Sequence, residues 1–176
     1  MSKGEFFTRM TIWISLCGYA LGGGINLLAK QSDRWQSRAR WAWTIACLAL
    51  IVHVACAFHF YHHWSHDSAY LETARQTAEV TGSNWGGGLF INYIFLTCWV
   101  LDIVWQWRGL AIYRRRPLII TIIWQSILIF MVFNATVVFK TGLLRWLGLT
   151  LCLGLALLWC FAVLYRQQNA SVMIKD

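Results

Sequence analysis

Five apolar runs, at residues 10–29, 41–64, 86–107, 118–139 and 143–165, divide the chain, with charged or turn-forming stretches between them. A helix needs about 20 predominantly apolar residues, at about 1.5 Å of rise each, to cross the hydrocarbon of a bilayer. Runs of this length leave little of a 176-residue chain for anything else. Charged residues make up only 12% of it, where a water-soluble domain carries roughly a quarter. The expectation is an all-α integral membrane protein, folded as a single transmembrane domain. It is a bundle of five transmembrane helices with a short extramembrane helix between the second and third.

The formal net charge of +8 is concentrated in the connections. Lys30, Arg34, Arg38 and Arg40 follow the first run, and Arg108, Arg114, Arg115 and Arg116 follow the third. The positive-inside rule assigns both connections to the cytoplasm. Between the second and third runs Asp67, Glu72 and Glu79 face Arg75 alone, which assigns that connection to the outside. The N-terminus is then outside and the C-terminus cytoplasmic; Lys3 and Arg9 argue mildly the other way, offset in part by Glu5. No basic face with interleaved aromatics stands outside the runs, so no nucleic acid is expected. The expected partners are the lipid bilayer and other membrane subunits. The first run lacks a small-residue cleavage pattern, and no removable signal peptide is expected.

Within the runs, Gly18 and Gly22 form a G-x-x-x-G pair that lets another helix approach closely, and a local kink is expected near Gly23. Good helix formers from Ala69 to Val80, stopped by Gly82, predict the short helix, with Tyr70, Ala74 and Ala78 as its weakly apolar face. Asn92, Trp99, Asp102 and Gln106 recur near helical spacing and predict a face turned away from lipid, with Asp102 paired to Arg108 or another arginine of the basic loop, against a role in proton relay. Pro117 opens the fourth run, and a tight turn is expected near Lys140 to Gly142. The six cysteines form no ligand spacing and read as small buried hydrophobes.

All five histidines fall in the stretch HVACAFHFYHHWSHD, from His53 to Asp67. His59, His62, His63 and His66 have the i, i+3, i+4, i+7 spacing of one helical face, and pairs of histidines at i and i+4 on a helix reach a common ion. These four are the candidate metal ligands, with Asp67 and Glu72 as further oxygen ligands or as groups that orient the rings. A mixed nitrogen and oxygen set suits a transition metal ion, Zn, Fe, Cu or Mn. Two plainer readings stand beside this one: a hydrogen-bonded, pH-responsive cluster, and interfacial residues of an aromatic belt. His53 lies off the stripe and within the hydrocarbon. It is the cofactor-binding candidate, an axial ligand to haem or chlorophyll, against a core histidine bonded to Asn92 or Asn134.

The string HFYHH, His59 to His63, is similar to the HxxHH box of the membrane fatty-acid desaturases and hydroxylases. That family builds its diiron centre from several such boxes on the cytoplasmic side; this chain has one, on the side assigned to the outside. The leading expectation is a polytopic membrane protein that binds a transition metal at its outward end. If it is an enzyme, the class implied is metal-assisted oxidation or hydrolysis of a lipid-like substrate. The alternative is a non-catalytic accessory or assembly subunit of a larger membrane complex, which small size and 12 tryptophans suit.

Overall fold

The computed structural model describes residues 2–28, 32–138 and 142–173, and these are helical with no strand. The helices are α1 (Lys3–Leu28), α2 (Asp33–Phe60), α3 (His66–Thr81), α4 (Gly88–Arg108), α5 (Leu110–Arg114), α6 (Leu118–Phe133) and α7 (Leu143–Met173). A π-turn, Asn134–Val138, continues α6. Among the described residues three helices are long and apolar enough to cross a membrane, Asp33–Phe60, Gly88–Arg108 and Ile119–Val138, and a shorter apolar helical stretch, Arg145–Leu158, lies in α7. Large apolar side chains such as Leu48, Ile94, Leu101, Ile119 and Leu153 face outward. A surface of this kind calls for lipid rather than water. The turn expected near Lys140 falls largely on residues 139–141, outside the described residues.

The most extensive helix pair is α1 with α2. It is an antiparallel hairpin: Gly4 meets Phe60, Gly18 meets Ala46 and Ala42, and Gly22 meets Trp43 and Ala39. A Cβ at Gly18 would stand 2.9 Å from the Ala46 Cβ and 3.0 Å from the Ala42 carbonyl oxygen. The G-x-x-x-G pair thus forms the contact it predicts. At Gly23 and Gly24 a Cβ would meet nothing within 4 Å, and α1 runs uninterrupted past both. From α1 an aromatic chain crosses the bundle: Tyr19 to Trp43 (centroids 5.6 Å), Trp43 to Trp99 (5.3 Å), Trp99 to Phe95 (5.5 Å) and Phe95 to Trp124 (6.0 Å). It ties α1, α2, α4 and α6 together, each ring pair adding about 0.5–1.5 kcal/mol beyond its burial.

Both ends of the second helix differ from the expected ones. The helix of the second run starts at Asp33 rather than Trp41, because Arg, Gln and Ala in RWQSRAR are good helix formers and polarity alone does not stop a helix. The same helix ends at Phe60 rather than continuing to Trp64. There the Trp64 amide donates to the Phe58 carbonyl (3.0 Å) and the Ser65 amide to that of His62 (2.8 Å). His63 (φ 47°) and Trp64 (φ 61°) adopt left-handed backbone, which costs an L-residue roughly 1–2 kcal/mol. Ser65 then caps the next helix, its side chain accepting from the Ser68 amide at 3.2 Å, and Gly82 ends it at φ 75°.

Helix α3 packs on the start of α4, Tyr70 against Phe90 (ring centroids 6.2 Å) and His66 against Tyr93 (5.5 Å); of the face expected at Tyr70, Ala74 and Ala78, Ala74 is buried, Ala78 half-buried and Tyr70 exposed at its edge, and Ala69 is buried beside them. Gly86 and Gly88 make room for α3: a Cβ at Gly86 would stand 2.5 Å from the Tyr70 carbonyl oxygen, and one at Gly88 3.2 Å from the Thr73 methyl. The inward face of α4 is Phe95, Trp99, Asp102 and Gln106, with Asn92 exposed. Of the cysteines, all free, Cys47 and Cys152 are buried as expected, while Cys17 and Cys160 face outward.

Candidate functional site

The end of α2 scatters the histidines. His59 stays in the last turn of α2, His62 and His63 fall in the turn, and His66 opens α3. The single helical face of four is therefore absent, and the reason is the left-handed pair His63–Trp64 in a place without glycine or proline. The rings pack on aromatics instead: His59 on Phe60 (4.8 Å), His62 on Phe58 (5.7 Å), His66 on Tyr93 (5.5 Å). Asp67 is exposed in the first turn of α3, where a carboxylate complements the helix dipole. Among the described residues no three His, Cys, Asp or Glu side chains converge on a position for a metal ion.

His53, His62 and Glu72 do come together around one cavity of about 1360 Å³. It opens at the end of the bundle where α1 starts, α2 ends and α3 crosses; the π-turn and the start of α7 complete its wall. The α1 wall is one helical face, Ser2, Glu5, Thr8, Arg9, Ile12, Trp13 and Leu16, with the three- and four-residue steps of a helix. Down this face polar side chains give way to apolar ones. Leu147 and Leu151 of α7 continue the apolar part. Behind them Gly148 lies against Thr136 so closely that a Cβ would collide with the threonine side chain. The π-turn places Thr136 there, its hydroxyl donating to the Val132 carbonyl at 2.7 Å; such turns are frequent at functional positions.

His53 reaches Thr8 rather than Asn92 or Asn134, its Nδ1 lying 2.9 Å from the Thr8 carbonyl oxygen. A carbonyl only accepts, so this nitrogen carries the proton. The Asn134 amide donates instead to the Phe130 carbonyl. His62 Nδ1 lies 3.4 Å from the Ser68 hydroxyl. Glu72 takes two bonds from the Arg75 guanidinium, Nε at 2.9 Å and Nη2 at 2.6 Å, and one from the Gln76 amide at 2.8 Å. The Arg75 hydrogen bonds hold its carboxyl down from an ordinary 4.5 to about 2, against the upward push of burial; Gln76 and the charges of Arg75 and His62 act in the same direction as Arg75's bonds. Arg75 also pairs with Glu79, and Glu5 pairs with Arg9 at 2.7 Å.

The opposite end of the bundle is closed by a different cluster. Asp102 accepts from the Trp43 indole (3.0 Å), the Gln106 amide (3.0 Å), the Tyr113 hydroxyl (3.0 Å) and Arg116 (2.9 Å). This is the expected pairing with a basic-loop arginine, with Arg116 as the partner. Arg114 adds a bond to Asp33 at 2.8 Å. With its acceptors occupied and its ion pair nine-tenths buried, Asp102 locks α2, α4 and α5 together.

The α1 half of the cavity escapes a reading that begins the first helix at Met10. The signal was present: residues 2, 5, 9, 12 and 16 have helical spacing and pass from polar to apolar. No protein-family model, curated protein or solved structure matches this chain.

Proposed function

We propose that this chain is a five-span membrane protein, crossing the bilayer with α1, α2, α4, α6 and α7, and that its cavity binds a lipid-like amphiphile. The α3 end faces outward in this reading, because Arg34, Arg38, Arg40, Arg108, Arg114, Arg115 and Arg116 gather at the other end. The observation that carries it is the gradient along α1, from Glu5 and Arg9 at the mouth to Ile12, Trp13 and Leu16 below. Glu5 to Leu16 is about 16 Å of helix rise. An amphiphile changes polarity along its length in the same sense, so each part of it meets a wall that does not penalise it. The volume of about 1360 Å³ is far more than one ion occupies and suits a head group with the first part of its chains.

Native mass spectrometry of the full chain, released from micelles containing membrane lipid, tests the reading. The expected result is one retained lipid per chain. Ile12→Trp and Leu151→Trp, which fill the apolar part, each abolish retention while the unfolding temperature is kept. Stoichiometric transition metal in place of lipid, lost when His62 and His63 are both changed to alanine, overturns it in favour of the histidine-bound metal.

A further inference from the structure

The mouth of the cavity carries both signs of charge in equal number. Glu5 and Arg9 stand on α1, Glu72 and Arg75 on α3, and all four line the same opening. Their formal charges cancel. The two pairs differ in how much each leaves to a ligand. Arg75 grips both oxygens of Glu72, whereas Arg9 meets Glu5 through one nitrogen and one oxygen at 2.7 Å. The second Glu5 oxygen and the remaining Arg9 donors point to a ligand with one acceptor group and one donor cation. Ser2, Ser68 and Gln76 add neutral hydrogen-bonding groups around them.

A head group with net negative charge would draw Arg9 to itself and leave Glu5 facing it uncompensated. A zwitterion satisfies both signs at once. A phosphate takes the planar fork of a guanidinium well, and a primary ammonium has three N–H groups to give to carboxylates. A quaternary ammonium has none and relies on several aromatic faces around the cation. Among the described lining residues the aromatic rings besides the imidazoles are Tyr61 and Trp13, and Trp13 belongs to the apolar stretch.

Resting on the amphiphile reading above, we propose that the ligand is a zwitterionic phospholipid whose head group bears a phosphate and a primary ammonium. The phosphate sits against the Arg9 guanidinium and the ammonium against the second Glu5 oxygen, beside the closed Glu72–Arg75 pair, and the acyl chains run down past Ile12, Leu16 and Leu151.

The test titrates the purified full chain in micelles with phosphatidylethanolamine, phosphatidylcholine and phosphatidylglycerol of equal acyl length, reading bound lipid by native mass spectrometry. Phosphatidylethanolamine is expected to bind roughly tenfold or more tightly than either other lipid, the scale of one charge-assisted hydrogen bond. Glu5→Gln lowers that affinity roughly tenfold without weakening phosphatidylglycerol. Glu72→Gln, at the pair closed by Arg75, lowers it by much less, and Arg75 keeps Glu79 as a partner in that variant; a loss as large as that of Glu5→Gln, with α3 intact by circular dichroism, overturns the placement of the ammonium on Glu5. Equal binding of the three lipids, or tighter phosphatidylcholine or phosphatidylglycerol, overturns the head-group assignment and leaves the amphiphile reading standing. Binding of none of them removes both.

Discussion

Gly18 and Gly24 sit on the same helix with opposite surroundings, and replacing each by alanine separates packing from propensity. In a helix interior Gly→Ala gains about 0.8–1 kcal/mol of propensity, and this gain is common to both sites. At Gly24 nothing lies within 4 Å of the new methyl, so the gain stands alone. At Gly18 the methyl would be 2.9 Å from the Ala46 Cβ, 3.0 Å from the Ala42 carbonyl oxygen and 3.3 Å from the Ala46 Cα. Carbon atoms rest at about 3.5–4.0 Å, so α1 and α2 must separate by about half an ångström or more. Overpacking of this kind costs typically 1–3 kcal/mol, which is the expected difference between the two variants. Gly22→Ala, with its nearest atoms at 3.2 and 3.3 Å, should fall between them. Reversible unfolding in mixed micelles, followed by tryptophan fluorescence, measures the order: Gly24→Ala most stable, then Gly22→Ala, then Gly18→Ala. Equal stability of Gly18→Ala and Gly24→Ala would refute the close antiparallel hairpin on which the α1 wall of the cavity depends.

The turn after α2 gives a second stability prediction: His63→Gly relieves left-handed backbone and should raise stability by up to about 1 kcal/mol, while His63→Val lowers it, as read by the same unfolding assay. At the other end, Asp102→Ala leaves Arg116 buried without its counter-charge and should cost about 3–5 kcal/mol; a loss under 1 kcal/mol would show that the cluster does not hold α5 in place. The Glu72 carboxyl is depressed in the folded chain, so its stabilisation is complete above its ordinary 4.5 and is lost as pH falls toward about 2. Loosening of α3 over that window, absent in Glu72→Gln, is expected in hydrogen exchange measured at acid pH.

Where a residue type has one structural use, the sequence was readable. Gly18 and Gly22 announced a close helix contact; Gly82 ended α3 as expected, and Asp102 found an arginine of its basic loop. The stop at Phe60 has no such marker. Left-handed backbone is uncommon for any residue but glycine and, although histidine takes it more readily than most, a bulky tryptophan does not, so HFYHHWSH continues the helical pattern on paper, and only Ser65 with Asp67 behind it signals a new start. The histidine face was an extrapolation of that pattern across a turn. The cavity was harder to read for a different reason. Its walls come from residues 2–16, 53–76, 135–136 and 147–151, and neither periodicity nor spacing relates segments that far apart. Its α1 wall also lies partly in a charged stretch that apolarity alone assigns to no helix.

Photo-crosslinking in intact membranes tests the central claim most directly, using phosphatidylethanolamine with a photoactivatable group on its acyl chain and mapping the labelled peptides. The account predicts labels concentrated on Ile12–Leu16 and Leu147–Leu151, and lost from both in Leu151→Trp. Labels spread over the outward faces of α2, α4 and α6, unchanged by Leu151→Trp, would contradict it: the lipid would then be solvent for this protein and not its ligand.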